Sequence, residues 1–546
     1  MCTYQFFVLV HKLLQRLRFG ILSTDFLTGI KAMKLDLSRA SQVEVEHRIT
    51  KLSEELSVLK HHLNTYLPIF RLPSELLLEI FSIIVKEWGA SLPWDDSRCS
   101  SAARAQGRAS GCMFPSYDWL PIIHVCQRWR DAAIQLSALW THVILNRFDF
   151  LDAMLTRSRA SKISLFYYIP GQLNLAKESR IFDAVRPHLH RVKLLQIVSY
   201  APSCSGPFFS CHLPSVETIN LLMLTPHTDP RSQVEPFHSW MDKGHTSLRS
   251  LKFINISFAA IQAAIRPTLR NLSIHKMWQT VPTSLFLSAL RSVPLLETLT
   301  LVEACPRIVS PAQKPVDPRS VVTLPCLRWV QIVSTGSTLV NFLEYLSFTA
   351  TTAVHLTLRG LHGLEEITSE TLGKFFASKL ANNPQHIILG DTKSPLDLIT
   401  RTGSGTSSSI CIDSSDNLRV NIIIGSMLSG LITADLDRLS VRITPTQHTD
   451  LLKAGIYEAM FAKAHNLQQL YFSSVRLIPS FMRDHREGES GSSERLPLPS
   501  LVDLIIDGVQ ETDDSIVADL LEHRMTWGHE RKAICIIPKK WSLRSS

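Results

Sequence analysis

Few side chains in this 546-residue sequence stand at the spacings that chemistry demands. His124 and Cys126 are both metal-binding types two positions apart. A structural zinc site needs four ligands, however, and no second pair stands at a matching spacing. They read as ordinary positions on a helix. His61 and His62 are adjacent, so on a helix they point to different faces and cannot ligate as a pair. Gly403-Ser404-Gly405 is a lone G-x-G in a Ser-rich stretch, without the third glycine or the flanking strand and helix of a dinucleotide site. There is no G-x-x-x-x-G-K-[ST] phosphate loop and no G-x-S-x-G nucleophile elbow. Asp95 and Asp96 sit in a stretch rich in Gly, Ser and Arg and read as solvated. The expectation is a chain that is not an enzyme, with no catalytic residue, no cofactor and no metal.

The composition narrows the remaining classes. Hydrophobic residues make up 45% and charged residues 19%, enough apolar material for a large core and too little charge for global disorder. The net charge of +9 is diluted over the whole length. No dense Lys/Arg run and no basic stripe interleaved with aromatics is present, so no nucleic-acid partner is expected. The 10 cysteines are scattered from Cys2 to Cys535 with no C-x-x-C pair. That distribution fits a reducing compartment, cytoplasmic or nuclear. Near the start, apolar Phe6–Val10 is interrupted by His11, Lys12, Arg16 and Arg18, well short of the roughly 20 residues a membrane span requires. Residues 1–40 read as a poorly ordered or amphipathic lead-in, with a targeting segment or a start at Met33 as the alternatives.

What remains is surface, and the surface depends on helices and strands. Over residues 41–67, Val45, Ile49, Leu52, Leu56, Leu59 and Leu63 alternate spacings of four and three, one stripe along a helix. Glu44, Glu46, Lys51, Glu54, Glu55 and Lys60 supply the polar sides. The stripe serves either packing against the next domain or a short dimer zipper. Pro68 marks the boundary. A second helix opens at Leu72-Pro73-Ser74-Glu75, with Pro73 where a missing N–H costs nothing, and continues through Leu76, Leu77, Ile80, Phe81 and Ile84. Residues 88–118 read as an inserted loop, Pro121–Leu136 as a further helix, and Leu139–Leu145 as a closing apolar run.

Three ordered segments within residues 68–146 carry a resemblance: Leu72-Pro73-Ser74-Glu75-Leu76-Leu77-Leu78-Glu79-Ile80-Phe81, then Ile123-His124-Val125-Cys126-Gln127-Arg128-Trp129-Arg130-Asp131-Ala132-Ala133, then Leu139-Trp140. Together they resemble the F-box, and in particular the F-box proteins expanded in mushroom-forming fungi. The resemblance implies a small helical domain that binds a Skp-type adaptor and, through it, a cullin. It implies adaptor contact at Leu72, Pro73, Glu75, Leu76, Ile80, Phe81, Val125, Cys126 and Trp140. Trp129 is divided between adaptor contact and packing of the helices. The forty or so residues between Phe81 and Val125 exceed the compact family pattern, and the family's proline before Leu139-Trp140 is missing. Either the insertion loops out harmlessly or it displaces the second helix and weakens adaptor binding.

From residue 160 to residue 546 the texture becomes a recurring L-x-x-L-x-L element. Copies run Leu189-Val192-Leu194, Val216-Ile219-Leu221, Leu248-Leu251-Phe253, Leu269-Leu272-Ile274, Leu296-Leu299-Leu301, Leu327-Val330-Ile332 and Ala353-Leu356-Leu358. Three more follow at Leu436-Leu439-Val441, Leu467-Leu470-Phe472 and Leu501-Leu504-Ile506. The first seven start 27, 32, 21, 27, 31 and 26 residues apart, with helical candidates such as Ser284–Arg291 and Thr338–Phe348 between copies. One strand and one helix per unit is the leucine-rich-repeat plan, although the Asn or Cys expected after the final apolar position is absent. The expected fold class is therefore α plus α/β: a short heptad helix and a helical F-box, then an irregular leucine-rich-repeat-like α/β solenoid. Residues 401–417 and 484–495 read as exposed loops within it.

The functional expectation is a substrate receptor of a Skp–cullin–F-box ubiquitin ligase, holding a protein target on the repeats for ubiquitin-dependent degradation. The alternative is a repeat-type scaffold whose F-box does not operate in a ligase.

Overall fold

The computed structural model describes residues 42–66, 72–90, 117, 119–169, 175–199, 211–223, 240, 246–277, 281–306, 321–349, 351–361, 364, 368–379, 386–391, 396–402, 407–413, 417–431, 436–442, 466–472, 503–509 and 533–538. The expected lead-in at 1–40 and the loop at 484–495 lie outside the described residues. Two compact units divide the chain, Met1–Tyr167 with Asp183–Arg191, and Tyr168–Phe182 with Val192–Ser546. Among the described residues no helix is long and apolar enough to cross a membrane.

In the first unit the heptad stripe forms helix α1 (Gln42–Thr65), and the segment opened by Pro73 forms α2 (Ser74–Ala90). The stretch expected as one helix from Pro121 to Leu136 is two elements. A 3-10 turn (Leu120–His124) precedes α3 (Gln127–Gln135), and Cys126 between them is extended at φ −161°. A second 3-10 turn (Ser137–Trp140) leads into β1 (His142–Ile144), followed by α4 (Phe148–Arg157) and β2 (Ile163–Ile169). β1 and β2 pair in parallel, Val143 beside Leu165.

A buried guanidinium holds the end of α4. Arg191 is 5% exposed, donating to the Leu155 carbonyl at 2.8 Å, the Ser161 carbonyl at 3.0 Å and the Ser158 hydroxyl at 2.9 Å. The last carbonyls of a helix lack intrahelical donors and carry the negative end of its dipole, so a forked cation suits them.

The second unit is built on a mostly parallel sheet. After helix α5 (Leu175–Val185), within which the division between the units falls, the strands are β3 (Val192–Ser199), β4 (Thr218–Met223), β5 (Ser250–Ile254), β6 (Asn271–His275), β7 (Thr298–Val302), β8 (Val322–Thr323), β9 (Trp329–Ser334), β10 (Leu346–Ser347), β11 (Ala353–Arg359), β12 (His386–Asp391), β13 (Leu396–Arg401), β14 (Ser407–Asp413), β15 (Arg438–Arg442), β16 (Gln469–Phe472), β17 (Asp503–Val509) and β18 (Ala533–Pro538). In this unit the order is β3-β4-β5-β6-β7-β9-β11-β14-β13-β12-β15-β16-β17-β18, with β8 and β10 paired apart. Helices α6 (Phe258–Ala264), α7 (Thr283–Arg291), α8 (Gly336–Glu344), α9 (Ser369–Lys379) and α10 (Asn417–Leu431) lie between strands in the chain.

Leu221, Phe253, Ile274, Leu301, Ile332 and Leu356 are register partners from β4 to β11, a continuous apolar row on the buried face. The exits from β5, β6 and β7 repeat as well. Asn255, Lys276 and Glu303 all take left-handed φ (53° to 56°), and their N–H groups bond the His275, Val302 and Val333 carbonyls of the next strand. Asn255 also donates through Nδ2 to the Met223 carbonyl at 2.8 Å. That side chain covers one carbonyl where the expected asparagine positions hold other residues.

Three expectations need correction. In the first copy, β3 pairs with β4 so that Leu195 and Ile197 lie beside Ile219 and Leu221, making the aligned triplet Val192-Leu195-Ile197. The stretch satisfies the motif in two frames, and pairing selects the second. In the Ala353 copy, Val354 and Leu356 align with Val330 and Ile332, a shift of two. The Ser-rich stretch expected as a loop at 401–417 contains β14, which pairs parallel with β11 and antiparallel with β13. Ser408 is buried there because its hydroxyl accepts from the Val354 N–H at 3.0 Å, while Ile410 and Ile412 alternate into the core. A run of serines forms a strand when alternate hydroxyls find backbone partners.

Close helix approach adds a further constraint. A Cβ on Gly373 in α9 would lie 2.5 Å from the Ile423 carbonyl oxygen and 2.4 Å from Ser426 Cβ of α10. Gly373→Ala should therefore cost about 1–3 kcal/mol by forcing α9 and α10 apart, measurable as a lowered urea midpoint. Arg191→Ala should cost about 2–3 kcal/mol by stranding the Ser161 carbonyl and leaving the Leu155 carbonyl only the Ser158 hydroxyl as donor, and Arg191→Lys should recover little of it, because one ammonium cannot fork between the two carbonyls. Urea titration of both variants checks the pair.

Candidate functional site

The segments singled out in the sequence meet in the first unit despite the long insertion between them. Phe81 of α2 and Trp129 of α3 stand edge to face with ring centroids 5.3 Å apart. Arg128 donates to the Leu72 carbonyl, tying the start of the first segment to α3. Cys126 caps α3, its sulfur accepting from the Trp129 N–H at 3.4 Å, and burial raises its thiol pKa. That is a structural duty, with His124 exposed at the end of the preceding turn. Among the described residues no group of three or more His, Cys, Asp or Glu is placed to hold a metal ion.

The insertion contributes to the core at its far end. Tyr117 and Trp119, the latter buried, stand edge to face at 6.4 Å, and Trp119 meets Trp140 at 4.9 Å. The Tyr117 hydroxyl accepts from the Ile144 N–H at 3.0 Å, and burial raises its pKa. Trp140 donates through Nε1 to the Ala133 carbonyl at 2.9 Å, and the Arg157 guanidinium lies 4.4 Å over its ring. Of the expected loop at 88–118, residues 91–116 and 118 lie outside the described residues, while α2 continues to Ala90 and Tyr117 packs against Trp119 and Phe150.

The ten expected contact residues fall into two sets. Phe81, Trp129 and Trp140 are buried within their own unit, at 0%, 6% and 1% exposure. All three pack against their own unit, where an enclosed side chain holds the shape of a face. Leu72, Pro73, Glu75, Leu76, Ile80, Val125 and Cys126 are exposed or half-buried. Leu76 is 46% exposed and Ile83, absent from the expected set, 47%. Leu76, Ile80 and Ile83 of α2 follow at spacings of four and three and are exposed or half-buried, so they form one apolar stripe with Glu75 and Glu79 along its open side, and Leu72 lies just before the helix. The signal for Ile83 was its seven-residue distance from Leu76.

The second unit presents a surface of different character. One register row runs Gln196, Asn220, Lys252, Ser273, Thr300, Gln331, His355 and Ser409, from β3 to β14, with Gln196 buried and the other seven half-buried. These residues occupy the face opposite the leucine row because strand side chains alternate. Asn220 donates to Gln196 Oε1 at 3.2 Å, and His355 Nδ1 lies 2.8 Å from the Ser409 hydroxyl. Trp329, 40% exposed, stacks on His355 at 3.9 Å, and desolvation keeps that imidazole below its ordinary pKa. At the rim, Arg270 pairs with Glu297 at 2.7 Å and Lys193 with Glu217 at 3.6 Å. The sequence held a signal for this row. In five of the strands its residue is the one between the last two apolar positions of the motif.

Neither a protein-family model nor a curated protein matches the chain.

The division into enclosed and outward residues separates folding from binding. Phe81→Ala should destabilise the first unit by about 3–5 kcal/mol through loss of buried ring area. Leu76→Asp should leave stability within about 0.5 kcal/mol, since the site is half exposed and the new carboxylate stands in the first turn of α2, where the helix dipole favours it. Thermal unfolding of the two variants checks both outcomes.

Proposed function

We propose that the chain is a non-catalytic substrate receptor of a Skp–cullin–F-box ubiquitin ligase. The residues from Leu72 to Leu145 form the F-box, and the apolar stripe Leu76, Ile80 and Ile83 with Leu72, Pro73 and Glu75 docks on the Skp-type adaptor, which brings the cullin. The observation that carries this reading is the Phe81–Trp129 contact. It joins the two halves of the motif across the insertion and leaves the apolar stripe of α2 outside. A helix that turns several large apolar side chains outward beside carboxylates suits a groove on a partner.

The second unit, read as an irregular leucine-rich-repeat-like solenoid, holds the target protein on the polar row. The half-buried amides and hydroxyls from Asn220 to Ser409, at fixed spacing, recognise hydrogen-bonding groups, and Trp329 supplies an amphipathic anchor of the type that dominates interface energetics. Such a receptor acts by proximity, raising the effective concentration of a target lysine near the ubiquitin-charged enzyme. None of its residues performs the transfer.

The test is a pulldown of the full chain with a purified Skp-type adaptor and cullin. Wild type should retain both, and Leu76→Asp, which leaves the fold intact, should lower adaptor affinity at least about tenfold. No adaptor retained by wild type would sink the reading. Adaptor retained without cullin would make the chain a scaffold instead.

A further inference from the structure

The first unit carries an apolar face for which the adaptor reading has no use. Along α1, Ile49 is 58% exposed, Leu52 43%, Leu56 49% and Leu59 66%. The rest of the first unit leaves these four side chains exposed. Two of its hydroxyls bond their own helix, Thr50 to the Glu46 carbonyl at 2.9 Å and Ser53 to the Ile49 carbonyl at 2.7 Å. A helix of 24 residues has little stability of its own in water unless an apolar face is covered.

We propose that α1 pairs with α1 of a second copy of this chain as a short parallel coiled coil. This inference is independent of the adaptor reading. Three features select a second copy over another occupant. The first is the width of the seam. Val45, Ile49, Leu52, Leu56, Leu59 and Leu63 keep strictly to alternating d and a positions, the narrow stripe of a two-stranded coiled coil. A helix laid on a globular core shows a broader stripe.

The second is the chemistry within the seam. Ile49 at a with Leu52 and Leu59 at d follows the arrangement that favours two parallel strands, while Leu56 and Leu63 at a and Val45 at d keep the seam apolar without adding to that preference. The third is charge. In parallel register each g position meets the e position five residues later on the partner. Glu55 then meets Lys60, Arg48 meets Ser53, and no pair brings like charges together. A two-fold axis makes the Glu55–Lys60 pairing twice. Val43 and Val58 are exposed off the seam, as single surface apolar residues commonly are.

Sedimentation velocity of the purified full chain over a concentration series tests the proposal. Wild type should sediment as a dimer at micromolar concentration, and Leu56→Asp should raise the dissociation constant at least a hundredfold. Because Leu56 is half exposed, that variant keeps its fold, which circular dichroism verifies. A charge exchange gives a reading that no folding defect imitates. Glu55→Lys and Lys60→Glu should each weaken self-association, and a mixture of the two should form heterodimers in preference to either homodimer.

A monomeric wild type would overturn the proposal, as would a dimer indifferent to Leu56→Asp and to the charge exchange. A wild-type monomer that dimerises once residues 1–41 are removed would assign the seam to that segment and overturn it equally.

Discussion

A strand of five or six residues cannot bury its own side chains, and this constraint governs the second unit. Each strand turns its leucines to one face, and they leave water only because the register partners of neighbouring strands stand beside them. The row Leu221, Phe253, Ile274, Leu301, Ile332 and Leu356 is therefore one shared core rather than six local ones. Parallel pairing keeps the row straight, and the left-handed corners at Asn255, Lys276 and Glu303 release the chain at the same level each time. Left-handed backbone at non-glycine residues is costly, and it persists here because hydrogen bonds to the next strand hold it. The polar row on the opposite face follows from the same geometry, since alternation aligns the outward residues as strictly as the inward ones.

The first unit solves the burial problem with aromatic rings. Phe81 against Trp129, and Tyr117 and Trp119 against one another with Trp140 beyond, bring α2, the end of the insertion and α3 into one core. Large rings span gaps that short aliphatic chains leave open, and their N–H and O–H groups serve the backbone, as Trp140 does at the Ala133 carbonyl. A long insertion is tolerated in such a core because added loop length costs entropy only slowly. The outward stripe of α2 is a consequence of this packing. Once Leu77 and Phe81 are drawn inward, helical geometry turns Leu76 and Ile83 away from the core, while Ile80, three positions from Leu77, stays half-buried at its edge.

Much of this was legible in the chain. Proline at the first turn, the period of the apolar residues and the L-x-x-L-x-L elements located α1, α2 and most strands of the second unit. The motif segments also located the outward stripe, although Ile83 was overlooked. The β12–β14 antiparallel excursion was not legible. Its serines carry no apolar alternation until Ile410, and what makes Ser407–Asp413 a strand is hydrogen bonding to β11, some fifty residues earlier in the chain.

The sequence by itself determined which side chains share a face of each element, because helix and strand periods are fixed by backbone geometry. It could not determine which face meets a neighbour. Phe81, Trp129 and Trp140 looked like anchors for a partner and turned inward, while the frame of β3 was settled by pairing with β4. Both outcomes depend on contacts between residues far apart in the chain, and only the tertiary structure decides those.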